Sequence, residues 1–376
     1  MKIVAYVIRP AEGGMLKHLL DLIGRLDRER FTPIVLSPPG NNLEEPLERL
    51  GIELIEVDIA DKPNLARDVG SIARLATALT AVGPDIIHAH SNKAALLVEM
   101  AARRGSLDAA VVFSVHNFPS YRGTGGLKRA ISSLALRRVI NGAEVVIAVS
   151  QSLKDSLVEH ERVDISKITV VHNGIDSGTF HPVKEAETRR LRDALGLAPN
   201  TPVVGTVGRL IPSKGMDVLI QAAPELVHKF PGLKIIIVGS GPMQQSLRST
   251  AAGLGLSRDI VFTGHVAELL PYYALFDVFA LPTTAEAFGM TAVEAMLAGC
   301  PVVASRTGGL SEIIANRETG LLVPPGDSGA LAAAIRAQLT DTRAARKMAA
   351  RAQTVAREQF SLTRMVAETE AIYDSL

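Results

Sequence analysis

The sequence predicts an α/β chain of two domains, each built on a parallel sheet. Three observations carry that expectation. Apolar runs of strand length alternate with longer runs of helical spacing, the rhythm of βα units. The chain has 376 residues, whereas single cores stop growing near about 250–300. After Asp176 comes a polar stretch without strand character, HPVKEAETRRLRDALGLAPN, which reads as a junction. The expected domains are therefore 1–176 and 177–360, with Asn173-Gly174 as a hinge turn. A final helix over about 361–376 is expected to cross back onto the first domain.

Composition narrows the function. Hydrophobic residues make up 47% and charged residues 21%, so the chain is globular rather than disordered. A net charge of +1, no Trp and 4% aromatics argue against a general nucleic-acid binder or a base-stacking platform. The lone Cys300 forms no internal disulfide, which fits a reducing compartment. The start, MKIVAYVIRP, has a short apolar run with no cleavage pattern. No run approaches the ~20 apolar residues that span a bilayer. A cytoplasmic location is expected, with room for peripheral contact at the inner face of a membrane.

In the first domain the expected strands are Ile3–Ile8, Pro33–Ser37, Glu53–Asp58, Ile86–His90, Val111–His116, Val145–Ser150 and Thr169–His172. Ligands of such sheets gather beyond the carboxyl ends of the strands. After the first strand, Glu12-Gly13-Gly14-Met15 makes a glycine turn that opens a helix, suited to bringing N–H groups to a diphosphate. His88 and His90 share a sheet face. A zinc site with His116 or His172 as third ligand would need a closed ligand set that the sequence does not display, and no metal is expected. His116 ends its strand and so belongs to a cleft. The stretch YRGTGGLKRAISSLALRRVINGAE clusters Arg122, Lys128, Arg129, Arg137 and Arg138 on a helical pattern. It suits anionic headgroups or a phosphorylated acceptor, or simply a solvated face. Ser150 is placed to cap the next helix.

In the second domain strands are expected at Pro202–Val207, Lys234–Val238, Ile260–Thr263, Val278–Leu281, Pro301–Ala304 and Leu321–Val323. Past the first of these stand Gly208, Arg209, Lys214 and Gly215, two cations in a glycine-bounded loop arranged for a diphosphate. Gly239 and Gly241 form a turn against which a flat base can pack. The loop lacks the lysine of a nucleoside-triphosphatase. The stretch LPTTAEAFGMTAVEAMLAGCPVV organises the rest. Glu286 lies in a loop and Glu294 on a helix, with seven residues between them. Phe288, Gly289, Met290 and Thr291 stand where that helix begins and offers free N–H groups to a phosphate or hydroxyl. The same spacing also permits two capping boxes, Thr283 with Glu286 and Thr291 with Glu294.

Taken together, GGM, PDIIHAHS, SVHNFP, VVHNGID, VGRLIPSKG, VGSGP, the Glu-x7-Glu stretch and TGGLSEII resemble the retaining glycosyltransferases of family 4 along the whole chain. The resemblance implies the GT-B architecture, two Rossmann-like domains facing a cleft. It implies a nucleotide-diphospho-sugar donor, with UDP-sugars favoured by family frequency, and no required cofactor. Glu294 would hold ribose hydroxyls, and Arg209 and Lys214 the departing diphosphate. Glu286 with the N–H groups of Phe288, Gly289 and Met290 would bind the donor sugar. Gly14 would close over the phosphates, and His116 would contact the sugar near the reacting carbon. Gly239, Gly241 and the backbone near Val266 would meet the base. Ala287 departs from a frequent Gly and fits if its φ is negative. The acceptor is expected to be a glycan or lipid-linked hydroxyl of the cell envelope. Rival readings are a UDP-sugar 2-epimerase of the same fold and a non-catalytic two-lobed sugar-binding protein; chemistry of the glycogen phosphorylase type is disfavoured by the short chain.

Overall fold

The computed structural model describes residues 1–10, 13–60, 65–119, 125–161 and 163–376, without the side chains of Leu65, Ala66 and Lys128. Glu12 and Arg122 of the sequence reading lie outside the described residues. The chain forms two compact units, Met1–Gly174 with Leu362–Leu376, and Ile175–Ser361.

The first unit alternates β1 (Lys2–Ile8), α1 (Gly14–Arg25), β2 (Phe31–Ser37), α2 (Glu44–Leu50) and β3 (Glu53–Glu56). It continues with α3 (Leu65–Val82), β4 (Ile86–His90), α4 (Asn92–Gly105) and β5 (Ala110–Val115). Then follow α5 (Gly126–Gly142), β6 (Val145–Ala148), α6 (Gln151–Glu161) and β7 (Ile168–Val170). The second unit opens with α7 (Glu185–Ala194), β8 (Val203–Val207), α8 (Met216–Lys229), β9 (Lys234–Val238) and α9 (Gln244–Gly253). Next come β10 (Ile260–Gly264), α10 (Leu270–Leu275), β11 (Val278–Leu281), α11 (Met290–Leu297) and β12 (Val302–Ser305). It closes with α12 (Leu310–Ile313), β13 (Leu321–Val323), α13 (Ser328–Thr340) and α14 (Thr342–Gln359). The last helix, α15 (Leu362–Asp374), belongs to the first unit.

Each expected strand is present with small shifts at its ends. His116 and His172 fall just past β5 and β7 instead of closing them. The sheets are ordered β3-β2-β1-β4-β5-β6-β7 and β10-β9-β8-β11-β12-β13, and the paired strands run parallel. Covered on both faces, such strands read as unbroken apolar runs: every residue of β4 and β8 is buried. One core gathers Ile235, Ile237, Val278 and Leu219; the other gathers Val4, Tyr6, Leu22 and Val112.

In each sheet the strand order reverses once, between β1 and β4 and between β8 and β11. The neighbouring crossovers leave opposite faces there, so a crevice opens beyond the carboxyl ends.

Two elements are tied in by small or polar groups. Helix α14 buries Ala345, Ala349, Ala352 and Ala356, and a stripe without bulk lets it lie close on α11, where Gln353 Nε2 donates to Leu297 O at 2.7 Å. Helix α15 is anchored by Tyr373, whose side chain is fully buried and whose hydroxyl donates to Tyr6 Oη at 3.0 Å. Lys2 Nζ donates to Tyr373 O at 2.8 Å. Ser150 caps α6, accepting from Leu153 N at 3.1 Å. Asn173, expected in the hinge turn, is buried. The first unit's main segment ends at Gly174 and the second unit begins at Ile175.

Candidate active site

At the reversal in the second unit, β8 ends in Gly208 and the exposed Arg209, followed by a tight turn over Pro212–Lys214. Gly215 then takes a left-handed φ of 63°, and a Cβ there would lie 2.0 Å from Pro282 O. Only glycine lets the two loops meet so closely. Thr283 Oγ1 donates to Ser213 O at 2.6 Å and Thr284 N donates to it at 2.8 Å. So the loop after β8 is fastened to the loop after β11 through one carbonyl. The fastening brings Lys214 Nζ to 2.5 Å from Glu286 Oε2. Their side chains keep only 21% and 14% exposure, so this is a charge-assisted contact in a partly desolvated place. Two residues assigned by sequence to different parts of a ligand are here partners of one another.

Helix α11 has Gly289 at its N-cap with φ 118° and no side-chain cap. Thr291 lies inside the helix, so the capping-box reading of Thr291 with Glu294 does not describe the fold. Thr283 likewise turns its hydroxyl to Ser213 and Ala285 carbonyls rather than to a helix end. Glu294 is buried and accepts a hydrogen bond from Tyr273 Oη at 2.8 Å. Burial, then the Glu294 charge and this bond, hold the Tyr273 phenol well above its ordinary pKa. The phenol therefore stays a donor at any ordinary pH and fixes the carboxylate. Ala287 is not among the residues with positive φ, so its Cβ is accommodated. Glu286 O accepts from Gly309 N at 3.1 Å, which adds the TGGL turn to the same wall.

The turn after β9 packs on the loop after β8. Gly239 has φ 133°, and a Cβ there would stand 2.0 Å from Gly208 O. Leu210 N donates to Ser240 O at 2.9 Å, and Gly239 N to Gly264 O at 2.8 Å. Gly241 belongs to this turn, and Val266, half-buried, follows β10. The glycines here serve close backbone approach between turns.

The reversal in the first unit is chemically different. Gly13 is the N-cap of α1, with φ 69°, and Gly14 is its first residue. One turn further, His18 is buried on the helix. Its ring meets that of His116 edge-on at 4.7 Å, and His90 Nδ1 lies 3.0 Å from His116 Nε2. His88 is engaged on both nitrogens, with Tyr373 Oη at 2.5 Å and Ser114 Oγ at 2.7 Å. Burial lowers the His18 pKa to about 4, partly opposed by Asn173. Burial first, and then the neighbouring imidazoles, push His88, His90 and His116 well below the usual histidine range. All four rings are thus neutral.

The basic stretch is divided in its surroundings. Arg138 Nε is taken by the buried Glu99 at 3.0 Å, and Arg137 is half-buried. What α5 leaves to solvent includes an apolar ridge, Leu127, Ile131 and Leu134, at 78%, 61% and 70% exposure, together with the exposed Arg129 and Arg138. Sequence reasoning missed Tyr273, Tyr373 and His18. Each acts through a partner remote in the chain, and the only local signal was a polar group on an otherwise apolar helix face.

Comparison with known proteins follows the two units. The model of the family "Glycosyltransferase Family 4" matches residues 12–178, and that of "Glycosyl transferases group 1" matches 187–355. The chain is 35% identical over 263 residues to a GDP-mannose-dependent alpha-(1-6)-phosphatidylinositol monomannoside mannosyltransferase of Mycolicibacterium smegmatis, covering 68% of this chain and 66% of that protein. A D-inositol 3-phosphate glycosyltransferase of Corynebacterium efficiens is 35% identical over 245 residues, 63% of this chain and 58% of that one. The chain thus spans about three fifths of the length of these relatives. Glycogen synthase of Mycobacterium tuberculosis is 30% identical over 304 residues, covering 77% and 68%. Among solved structures, Anabaena Alr3699/HepE in complex with UDP-glucose superposes with a TM-score of 0.86 at 26% identity over the full length of both chains.

Proposed function

The chain belongs to the family 4 glycosyltransferases, and from that premise we propose that it moves a hexose or N-acetylhexosamine from a nucleotide-diphospho-sugar to an acceptor hydroxyl with retention of configuration. The observation that carries this reading is the second unit's paired wall. There Lys214 meets Glu286 and Tyr273 fixes Glu294, all at one strand reversal.

Glu294 is assigned to the ribose hydroxyls, since a buried carboxylate held by a neutral phenol keeps an acceptor oxygen in a fixed place. Arg209 and Lys214 take the diphosphate. Glu286, with the N–H groups of Phe288, Gly289, Met290 and Thr291 at the start of α11, takes the sugar hydroxyls. Gly208, Gly239, Gly241 and Val266 line the approach for the base. In the first unit Gly13 and Gly14 are assigned to the phosphates and His116 to the sugar near its reacting carbon. As the bond from the anomeric carbon to the phosphate oxygen breaks, negative charge grows on the diphosphate. Fixed cations lower that barrier. The acceptor oxygen attacks the same face, and its proton passes to the departing phosphate oxygen. Before donor arrives Lys214 is neutralised by Glu286. A diphosphate competing for the ammonium leaves the carboxylate to accept sugar hydroxyls, so the pair opens only onto a ligand that offers both groups.

A UDP-sugar is the proposed donor, supported by the full-length likeness to a protein solved with UDP-glucose. The relative named for GDP-mannose makes GDP-sugars the alternative in the test. A lipid-linked cell-envelope acceptor is supported by the apolar ridge of α5 with Arg129, a face suited to an anionic lipid surface. No described helix is long and apolar enough to cross a membrane. Thermal unfolding in the presence of UDP-, GDP- and ADP-sugars tests the donor, because a ligand at 100 times its Kd adds about 2.7 kcal/mol to the native state. The expected result is a shift with UDP-sugars, followed by transfer of label into a butanol-extractable product when lipid acceptors are added. No shift with any nucleotide sugar would sink the reading. Epimer formed from donor alone would replace it with the 2-epimerase.

A further inference from the structure

At the carboxyl edge of the first unit's sheet, three imidazoles converge from three elements: His18 from α1, His90 from β4 and His116 from just past β5. Each offers a ring nitrogen, and the three atoms lie within 4.8 Å of one another. His18 Nδ1 and His90 Nε2 are buried and have no hydrogen-bond partner. Native interiors pair nearly all such atoms, so two orphans in one cluster call for an explanation. We propose that His18, His90 and His116 form a binding site for one divalent cation of the Zn²⁺, Co²⁺ and Ni²⁺ class.

The ligand chemistry selects that class. Imidazole nitrogens without a carboxylate suit borderline ions and disfavour Mg²⁺ and Ca²⁺, which want oxygen. Neutral imidazole is the form that binds a metal, and neutral is how burial keeps these rings. Zinc–nitrogen bonds of about 2.0–2.1 Å place tetrahedral ligand atoms about 3.4 Å apart, so no ring nitrogen has to move more than about 1 Å. Surrounding groups orient the rings, as they do at known metal sites. His18 packs edge-on against His116, with ring centroids 4.7 Å apart. His90 lies against His88, with ring centroids 4.3 Å apart, and His88 is itself fixed by Tyr373 and Ser114. Three protein ligands leave a fourth position for water or an anion.

The binding stands apart from the proposed reaction. Its consequence rests on that reading: His116 is assigned to the donor sugar, and a cation that holds it would inhibit transfer.

The test strips the full-length protein with chelator and titrates it with Co²⁺, following visible d–d absorption, and with Zn²⁺ by calorimetry. We expect one cation per chain. Affinity should fall by at least about 100-fold in His18→Gln and in His90→Gln, and remain unchanged in His228→Gln, at an exposed position of α8. Circular dichroism verifies that each variant is folded. If His90→Gln fails to fold, His18→Gln alone decides. No stoichiometric binding, or His18→Gln binding like the parent, overturns the site. Because no sugar is present, that failure leaves the transferase reading standing. In a turnover arm, Zn²⁺ should inhibit the parent and spare His18→Gln; equal inhibition of both overturns the link through His116.

Discussion

The two strand reversals share a topology and differ in how they treat charge. At the second unit's reversal, formal charges are kept and partnered, Lys214 with Glu286 and Glu294 with Tyr273. At the first unit's reversal the ionisable groups are imidazoles that burial drives to neutrality. A parallel sheet offers the same crevice in both places. What fills it decides whether the crevice grips an anion or presents lone pairs. Charge that must meet a charged ligand is either exposed, as at Arg209, or held against a partner, as at Lys214, Glu286 and Glu294. Groups that work as neutral donors, acceptors or metal ligands are buried outright.

The largest effect expected from breaking the contrast is at the cations. Arg209→Ala and Lys214→Ala should each lower kcat by on the order of 10²–10³, the cost of removing one group that stabilises transition-state charge. Arg209 is exposed, so its variant should unfold at the parent's temperature. Lys214→Ala also strands Glu286 and should lose some stability. Steady-state kinetics beside thermal unfolding separate the two, and near-parental turnover in either variant would remove the diphosphate assignment.

Next in size is the support of Glu294. Tyr273→Phe deletes one hydroxyl and leaves a buried carboxylate short of its donor, at a cost of about 1–3 kcal/mol. The expected outcome is weaker donor binding, read as a raised KM, with a smaller change in kcat. If the loss fell on kcat alone, Tyr273 would be closer to the chemistry than its position on α10 implies.

The smallest effect concerns pH and belongs to the neutral reversal. Unfolded imidazoles take up a proton near about 6.5, while folded His18 resists until about 4. Between those values the unfolded state binds more protons, so stability falls as pH falls, by up to about 1.4 kcal/mol per pH unit for each such ring. Above the upper value both states are neutral and this contribution is constant. Urea denaturation across that window should show a shallower slope in His18→Gln. An identical slope would mean that His18 titrates normally in the fold.

Much of the fold was legible. Apolar runs bounded by glycine and polar turns located the strands, because a strand covered on both faces must be continuously apolar. Their order was not legible: the runs IIIV and VVGTV carry nothing that says which will lie beside which. In the site, Arg209, Lys214, Glu286 and Glu294 were visible because each stands just past a strand or one turn into the next helix. Their mutual relations were not. The pairing of Lys214 with Glu286 depends on Ser213 O catching Thr283 and Thr284 across 70 positions. The spacing of Thr291 and Glu294 equally suited a capping box; the fold puts Gly289 at the N-cap and Thr291 inside the helix, and gives Glu294 to Tyr273 from another helix.

By itself the sequence determined the βα rhythm, the polar junction after Asp176 and the residue types at the strand ends, since these follow from periodicity and local backbone preference. Tertiary structure alone decided that His18 joins His90 and His116, that Tyr373 closes on His88 from 285 positions away, and that α5 exposes an apolar ridge beside its arginines. Side-chain partnership across a sheet depends on strand order and crossover placement, and that geometry is a property of the whole packed chain rather than of any window along it.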